Sequence, residues 1–319
     1  MRDQYGREIN YLRISLTDRC NLRCCYCRPE IARQLAHSEI LTYEEILTVC
    51  KAVAALGVQR FKVTGGEPLL RRDCVFFLHQ LKLLAERGKV TLTTNGILLP
   101  AVVPELMKMG LDGVNISLDT LDRQRYAQIT GADRLAEVLQ AIRQACAAGV
   151  KVKLNCVPLQ DMTVAELLEL VAFAQNLQVP LRFIELMPLS CNNAVEGLAG
   201  SEIRRRLTAA GFTLTPDKNI YGGGPAVYYQ LENRKAPIGF IEPLHGKFCA
   251  CCNRIRLTAT GYLKTCLYGH SGVDLRELLR SGADDTKLQQ AILQAARQKP
   301  LGHDFEHAPA AFTMNEIGG

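Results

Sequence analysis

The chain has 319 residues, of which 48% are hydrophobic and 22% are charged, and its formal net charge is +6. That composition is ordinary for a globular protein, and no uncharged apolar run approaches the roughly 20 residues that cross a bilayer. The first residues mix both charges and lack the apolar core of a secretory signal. We therefore expect a cytoplasmic protein without a membrane partner. The charge excess is too mild to favour nucleic acid as a ligand.

From Tyr11 to about Met187, short β-branched runs alternate with longer stretches whose apolar residues recur at helical spacing. Strands are predicted at 11–16, 60–64, 90–94, 113–118, 150–157 and 181–187. Helices are predicted at 43–56, 74–87, 102–109, 135–148 and 164–176. Repeated strand–helix units indicate an α/β fold with a parallel sheet and right-handed crossovers. They fit either an incomplete TIM-like (β/α)6 barrel or an open doubly wound sheet.

Polar and glycine-rich residues lie near the C-terminal ends of the predicted strands, at 64–68, 93–96, 115–119, 153–155 and 185–187. Ligands bind at this edge of parallel α/β folds, which favours a barrel-like site. After Pro188 the strand–helix rhythm breaks, with short strands predicted at 227–231, 238–241, 254–258 and 262–264, and helices at 275–279 and 287–297. We predict a barrel domain at 1–187 and a smaller C-terminal region at 188–319.

Two groups of cysteines stand out among the thirteen in the chain. Cys20, Cys24 and Cys27 follow the first predicted strand with the spacing CxxxCxxC. Three thiolates on one loop can hold three corners of a [4Fe–4S] cube and leave the fourth iron open to a small ligand. Zinc is the alternative, because closely spaced cysteines also suit a tetrahedral ion. A reducing compartment argues against disulfides in either group.

The second group is Cys249, Cys252 and Cys266, in which CxxC precedes a third, more distant cysteine. With His270 these thiols could complete a Cys₃His zinc site, and a cysteine pair before a hairpin suits a zinc knuckle. They could equally hold three corners of a second iron–sulfur cube. The spacing alone leaves both alternatives open.

The segment CNLRCCYC at 20–27 resembles the signature of the radical S-adenosylmethionine (SAM) superfamily, including the aromatic Tyr26 before the last cysteine. The sequence TGGEP at 64–68 resembles the GGEP motif of that superfamily. The resemblance implies that SAM chelates the open iron, and that Gly66 passes its backbone beside the methionyl amino group. It further implies that Tyr26 faces adenine, that Ser117 is a strand-end contact to SAM, and that Met187 packs near adenine.

The segment CACCNRIRL at 249–257 is similar to the CxxCNRxRL stretch of the molybdenum-cofactor cyclases, and the end of the chain, MNEIGG, resembles their terminal double glycine. The resemblance covers almost the whole chain. It implies a lyase with two [4Fe–4S] clusters, one holding SAM and the other holding GTP. A 5′-deoxyadenosyl radical would remove the ribose 3′ hydrogen, giving (8S)-3′,8-cyclo-7,8-dihydroguanosine 5′-triphosphate in the first step of molybdenum-cofactor synthesis. Gly318 and Gly319 are expected to enter the cavity between the clusters and serve catalysis.

The resemblance also assigns the GTP contacts, which are Arg13, Lys62, Thr93, Lys153, Arg254 and Arg256. Lys62 and Lys153 interrupt apolar strand runs, where an unpaired charge is costly unless an anion arrives. A strand-end lysine that reaches solvent is the alternative for each residue taken alone. Arg182 has the same character and is placed near SAM or the substrate.

Two other functions fit parts of the pattern. One is a two-cluster radical SAM enzyme that modifies a peptide or RNA, and the other is a non-catalytic, zinc-stabilised nucleic-acid-binding protein. The cyclase function implies an electron donor of the reductase or flavodoxin type. It also implies transfer of the product to a pyranopterin monophosphate synthase. The sequence is compatible with a homodimer, and it assigns no role to the additional thiols of Cys25 and Cys251.

Overall fold

The computed structural model describes residues 1–27, 35–188, 195–269, 271–303 and 314–318. In its first part strands and helices alternate, as the sequence predicts. Strands β1 to β6 are Tyr11–Ser15, Arg60–Thr64, Lys89–Thr94, Gly113–Ser117, Val152–Cys156 and Leu181–Ile184. Helices α1 to α6 are Tyr43–Ala55, Cys74–Leu84, Val103–Lys108, Arg123–Thr130, Leu135–Ala147 and Val164–Asn176.

The second part has a different rhythm. It contains helix α7, Gly200–Ala209. Strands β7 to β12 are Leu214–Asp217, Val227–Leu231, Ile238–Ile241, Arg254–Leu257, Tyr262–Lys264 and Gly272–Asp274. Helices α8 to α10 are Leu275–Arg280, Asp285–Arg297 and Met314–Ile317. In the described ranges, every helix is too short or too polar to span a bilayer.

The twelve strands of the described residues form one sheet, in the order β12-β11-β10-β1-β2-β3-β4-β5-β6-β9-β8-β7. Strands β1 to β6 pair in parallel with their sequence neighbours. Strand β10 pairs in parallel with β1, and β9 pairs in parallel with β6. The two end strands of this order, β12 and β7, are not paired with each other, so the sheet is an unclosed barrel. The incomplete TIM-like fold predicted from sequence is confirmed.

The C-terminal strands extend the barrel sheet at both of its edges. Their hydrogen bonds to β1 and β6 cross the boundary predicted between residues 187 and 188. The C-terminal region is therefore joined to the barrel through the sheet itself. The division into two domains stays a prediction.

Strand alternation separates a helix-covered apolar face from a polar inner face. In β1, Leu12 and Ile14 are fully buried in the main core, which they share with residues from the surrounding helices. Arg13 points to the opposite face, where the register places it between Lys62 of β2 and Arg256 of β10. Basic side chains of neighbouring strands thus meet on the inner face.

Local sequence signals explain where the long helices begin. Helices α1 and α6 each start with a capping box, in which a threonine and a glutamate three residues later satisfy each other's backbone amides. The pairs are Thr42 with Glu45, and Thr163 with Glu166. Both helices begin at the residue predicted from sequence.

Some predicted bounds differ from the structure. The strand predicted at 181–187 ends at Ile184, and the carboxylate of the next residue, Glu185, accepts the amide of Leu244 at 2.7 Å. Helices α4 and α7 were not predicted, since each is short and mostly polar. In α7 the buried aliphatic side chains are those of Ile203 and Leu207.

Candidate active site

One cavity on the inner face of the sheet joins the two cysteine triplets. Side chains from β1 to β6, β9 and β10 all line it, which means that the sheet curves around it. The predicted site residues on its wall are Arg13, Cys20, Cys24, Tyr26, Cys27, Lys62, Gly66, Thr93, Ser117, Arg182, Met187, Cys249, Cys252, Arg254, Arg256 and Cys266. Lys153, Gly318 and Gly319 need separate description.

The first triplet lies on the loop after β1. The amide of Leu22 donates to the sulfur of Cys20 at 3.4 Å, and the Asn95 side chain approaches the same sulfur at 3.8 Å. Burial raises the pKa of the Cys24 thiol well above its ordinary value, and the nearby Cys27 adds to that shift. A bound metal reverses this balance, because coordination deprotonates a thiol. The three thiols therefore fit a metal cluster at this end of the cavity.

The second triplet lies at the opposite side of the same cavity. Cys249 and Cys252 flank a tight turn, in which the amide of Cys252 donates to the Cys249 carbonyl at 3.1 Å. Burial alone would raise the pKa of Cys252, but Arg254 and Lys299 lower it to about 7. This site thus favours the thiolate, which is the form that binds metal. His270, the fourth ligand of the zinc alternative, lies outside the described residues.

The spacing of the thiols bears on the choice between zinc and iron–sulfur. All ligands of one tetrahedral zinc lie about 2.0–2.3 Å from it. The part of the chain that the structure describes contains no group of three His, Cys, Asp or Glu side chains close enough to hold a single ion. A [4Fe–4S] cube accepts thiolates that lie farther apart, since each thiolate binds a different iron. Among the described residues, neither triplet forms a preformed single-ion site.

The two additional thiols are separated from the triplets. Cys25 lines a distinct surface pocket together with Arg125 and Asp161. Cys251 is exposed, and its thiol donates to the carbonyl of Phe248 at 3.4 Å. Adjacent residues in these loops point in different directions, which sequence spacing cannot reveal.

Gly66 brings the GGEP segment against the first cysteine loop. A Cβ atom at this position would stand 2.3 Å from the carbonyl oxygen of Arg19. The Gly66 amide donates to the carbonyl of Thr17 at 2.7 Å. Next to it, the buried Glu67 accepts the Asn95 amide at 2.7 Å and the Thr94 hydroxyl at 2.8 Å. Burial raises the pKa of Glu67 to about 7 in spite of these donors.

Tyr26, Ser117 and Met187 all line this cavity, and Tyr26 directly precedes Cys27 of the first triplet. The Tyr26 hydroxyl donates to Asp119 at 2.6 Å, and the other Asp119 oxygen accepts the amide of Val157 at 2.8 Å. Burial raises the pKa of Asp119 to about 6. Met187 belongs to an apolar cluster with Leu244, Leu267, Tyr268 and Met314. The cavity wall thus offers both a polar clamp at Tyr26 and an apolar surface at Met187.

A cation group, defined as Arg13, Lys62, Arg182, Arg254 and Arg256, covers the inner face of the strands between the triplets. Burial, followed by repulsion from Arg182 and Arg13, lowers the pKa of Lys62 well below its ordinary value. Burial likewise lowers the pKa of Arg13 to about 10. Lowered pKa values at several adjacent cations indicate a site that an anion would stabilise.

Lys153 shares the inner face but is not among the residues that line the cavity. Its ammonium donates to the carbonyl of Tyr221, at the start of a glycine-rich loop, and Gly222 packs against it. Burial, with Arg182 and Lys89 nearby, lowers its pKa to about 8. The structure therefore does not bring Lys153 into contact with the cavity beside the other predicted cations.

The C-terminal tail lies against the barrel. Ile317 is fully buried. Gly318 has a φ of +76°, and a Cβ atom there would stand 2.9 Å from both Ser15 and Thr64. The predicted catalytic residue Gly319 lies outside the described residues.

Several wall residues were not assigned to the site from the sequence. The sequence contains a feature that could have assigned Asp119 to the site, because this residue stands at a strand end among other polar residues. Lys299 and His303 also line the cavity, and they follow the last long helix without any motif. Only the fold brings these two residues to the second triplet.

The barrel and the cysteine loop with its GGEP partner define a radical SAM protein. A model of the Radical SAM superfamily matches residues 14–174, and a model named Molybdenum Cofactor Synthesis C matches residues 179–305. The GTP 3′,8-cyclase of Clostridium perfringens (strain SM101 / Type A) is 42% identical over 323 residues, covering 100% of both chains. That of Paracoccus denitrificans is 45% identical, covering 96% of this chain and 90% of the relative. The chain belongs to the GTP 3′,8-cyclase family of radical SAM enzymes.

Solved structures support the fold independently. Streptococcus suis SuiB bound to its precursor peptide SuiA has a TM-score of 0.66 and 15% identity, covering 93% of this chain and 66% of SuiB. SuiB bound to S-adenosylmethionine has a TM-score of 0.61 and 18% identity, covering 91% and 68%. At this identity the likeness concerns the fold alone.

Proposed function

We propose that this chain converts GTP to (8S)-3′,8-cyclo-7,8-dihydroguanosine 5′-triphosphate, the first step of molybdenum-cofactor biosynthesis. The observation that carries the proposal is a single cavity bounded by two cysteine triplets, with six lysine and arginine side chains on its wall. An enzyme that joins two atoms of one nucleotide must hold both ends of it, and the source of the radical, in fixed positions. This cavity offers separate anchors for SAM and for the two ends of GTP.

At one end, Cys20, Cys24 and Cys27 would hold the first [4Fe–4S] cluster. When reduced, such a cluster supplies the electron that splits SAM into methionine and the 5′-deoxyadenosyl radical. Gly66 would contribute by allowing the GGEP backbone to approach the cysteine loop, since a side chain there would strike Arg19. Tyr26 would present its ring at a fixed angle, because its hydroxyl is tied to Asp119.

Further along the same wall, Ser117 and Met187 would complete the SAM contacts. Ser117 is a polar group at the end of β4, and Met187 offers an apolar surface for adenine beside Tyr268. An apolar wall also keeps water from a reactive carbon radical. These roles are supported by the placement of both residues on the wall of the cavity that the first triplet lines.

At the other end, Cys249, Cys252 and Cys266 would hold the second cluster and so anchor the purine. The triphosphate would meet Arg13, Lys62, Arg254 and Arg256, with Thr93 as a neutral donor. Support comes from the lowered pKa of Lys62, whose neighbours Arg182 and Arg13 repel it until an anion arrives. Lys153 would act from outside the cavity lining through its charge.

The tail would contribute Gly318, which lies against Ser15 and Thr64 at the ends of β1 and β2, together with Gly319. We also propose a one-electron donor of the reductase or flavodoxin type, and release of the product to a pyranopterin monophosphate synthase. A cytoplasmic setting follows from the reducing chemistry and from the GTP substrate. A homodimer remains compatible with this proposal.

Anaerobic incubation of the reconstituted chain with SAM, dithionite and GTP tests the proposal. The expected products are 5′-deoxyadenosine and a nucleotide isomeric with GTP, identified by mass after chromatography. With GTP deuterated at C3′, the deuterium should appear in 5′-deoxyadenosine. A chain in which Cys20, Cys24 and Cys27 are all replaced by alanine is the matched control and should form neither product. Formation of 5′-deoxyadenosine at an equal rate without GTP, and no new nucleotide with it, would overturn the proposal.

A further inference from the structure

Lys299 is a buried lysine that no motif in the sequence singles out. Only 2% of its surface is exposed, and it lines the cavity just after helix α9. Burying an ammonium is costly unless its donors are used. It donates to the carbonyl of Arg254 at 2.9 Å and to the carbonyl of Thr265. Its ammonium also lies close enough to Cys252 to interact electrostatically with that thiol.

These acceptors belong to the two chain segments that carry Cys252 and Cys266. Arg254 lies two residues after Cys252, and Thr265 directly precedes Cys266. One ammonium therefore ties both segments to a single point. It also holds a positive charge against both thiols.

Arg7, near the start of the chain, holds the backbone that directly follows Lys299. Its guanidinium donates to the carbonyl of Cys249 at 2.8 Å and to the carbonyls of Pro300 at 2.6 Å and Leu301 at 2.9 Å. The buried Asp3 holds the guanidinium in place by accepting from Nε at 2.5 Å. Arg7 thus holds together the segment that carries Cys249 and the segment that follows Lys299.

We propose that Lys299 is a positioning residue for the second cluster, which sets the spacing of Cys252 and Cys266 and raises the reduction potential of that cluster. The inference rests on the proposed function, because it takes the second triplet as a [4Fe–4S] site. A reduced cluster carries one more negative charge than the oxidised cluster. A cation that lies close to the ligand thiols therefore favours the reduced form.

The potential can be measured on the second cluster alone in the full chain carrying Cys20→Ala, Cys24→Ala and Cys27→Ala. Redox titration monitored by electron paramagnetic resonance should show that Lys299→Met and Lys299→Gln each lower the one-electron reduction equilibrium constant at least tenfold, which corresponds to about 59 mV. Lys299→Arg keeps the charge and should stay within threefold of the parent. Lys51→Met is the matched control, because it removes one surface ammonium paired with Asp285 and should change nothing.

The outcomes separate this inference from the proposed function. A second cluster that persists in Lys299→Met and Lys299→Gln with an unchanged potential overturns the role of Lys299 and leaves the cyclase proposal intact. Lys299→Met and Lys299→Gln are also made in the chain that keeps all six cysteines of the two triplets. Loss of the second cluster in both variants, while the first cluster is retained, supports the positioning role. Loss of both clusters would show a general structural role and overturn the inference. A parent without any iron on the second triplet would overturn both proposals.

Discussion

The guanidinium of Arg256 donates a hydrogen bond to the carbonyl oxygen of Gly318, with 3.2 Å between Nη1 and the oxygen. Arg256 is also the direct neighbour of Arg13 across the pairing of β10 with β1. The last residues of the chain are therefore held by a member of the cation group. This contact links the tail to the place where the triphosphate is proposed to bind.

The iron content of the cysteine variants tests the assignment of the two triplets. Because each cube holds four irons, the reconstituted chain should carry about eight irons and eight sulfides. Replacing Cys20, Cys24 and Cys27 together should leave roughly half of this and abolish SAM cleavage. Replacing Cys249, Cys252 and Cys266 should also leave half, yet permit some SAM cleavage uncoupled from GTP. Full iron content in either triple variant would contradict the ligand assignment.

The arginines of β10 test the triphosphate site. Arg254→Ala removes a charge-assisted contact and should weaken GTP binding by about 1.5–3 kcal/mol. Arg256→Ala should do the same and also release the tail from its hydrogen bond to Gly318. Isothermal titration calorimetry on the anaerobic protein measures the affinity, and iron analysis checks that both clusters remain.

Arg280→Ala is the control for these variants, because it removes an arginine whose partner is Glu45, a residue outside the cavity wall. It should bind GTP like the parent. An unchanged GTP affinity in the double variant of Arg254 and Arg256 would refute the phosphate assignment. Loss of the second cluster would instead assign these arginines a structural role.

Local patterns predicted the parts of the site that depend on local chemistry. Arg13 and Lys62 stood out because strand alternation sends a charge to the face opposite its apolar neighbours. The barrel itself depends on pairing between distant segments, such as Tyr11 with Arg254, which no local pattern contains. Lys299 is a further case, since no motif marks it and its acceptors lie 45 and 34 residues away along the chain. Such contacts become visible only in the folded structure.

Lys153 gives the GTP affinity a defined pH dependence. Burial, with Arg182 and Lys89 nearby, lowers its pKa to about 8 in the ligand-free chain. Only the ammonium attracts phosphate, so binding should raise this pKa and draw a proton from solution near pH 8. The GTP affinity should therefore fall as pH rises, by up to about fivefold between pH 8 and 9.

Calorimetry in two buffers of different ionisation enthalpy measures the proton uptake. Lys153→Met should bind GTP more weakly at pH 7 and should show less proton uptake at pH 8. The comparison between parent and variant removes the titration of the nucleotide itself. An identical pH slope in the two proteins would exclude Lys153 from the GTP site.

Gly66→Ala should damage the first cluster without touching a cysteine. The added Cβ would stand 2.3 Å from the Arg19 carbonyl, so the GGEP segment or the cysteine loop must move. We expect the iron content to fall toward half and SAM cleavage to be lost. Gly302→Ala is the matched control, since its Cβ would meet Cys249 only at 3.8 Å, an ordinary contact. Equal iron content in the two variants would show that the close approach of Gly66 is not needed for assembly.

The tail gives the last prediction. Deleting Gly318 and Gly319 should leave the iron content and the reduction of the first cluster intact, because Ile317 still anchors the tail in the core. Formation of the cyclised nucleotide should stop, since Arg256 loses its partner at the junction of the tail with the cation group. Gly318→Ala should be nearly as damaging, for two reasons. Its φ of +76° is strained for any residue with a Cβ, and that Cβ would stand 2.9 Å from Ser15 and Thr64.

The Gly318→Ala and deletion variants are compared with the parent by nucleotide mass after anaerobic turnover. Gly211→Ala supplies the control, because Gly211 also has a positive φ, +90°, but has open space where its Cβ would be. It should therefore incur the backbone strain without blocking the barrel. If the strain alone mattered, both alanine variants would lose activity together. If the truncated protein still cyclised GTP at a near-normal rate, the contact between Arg256 and Gly318 would have no part in the reaction.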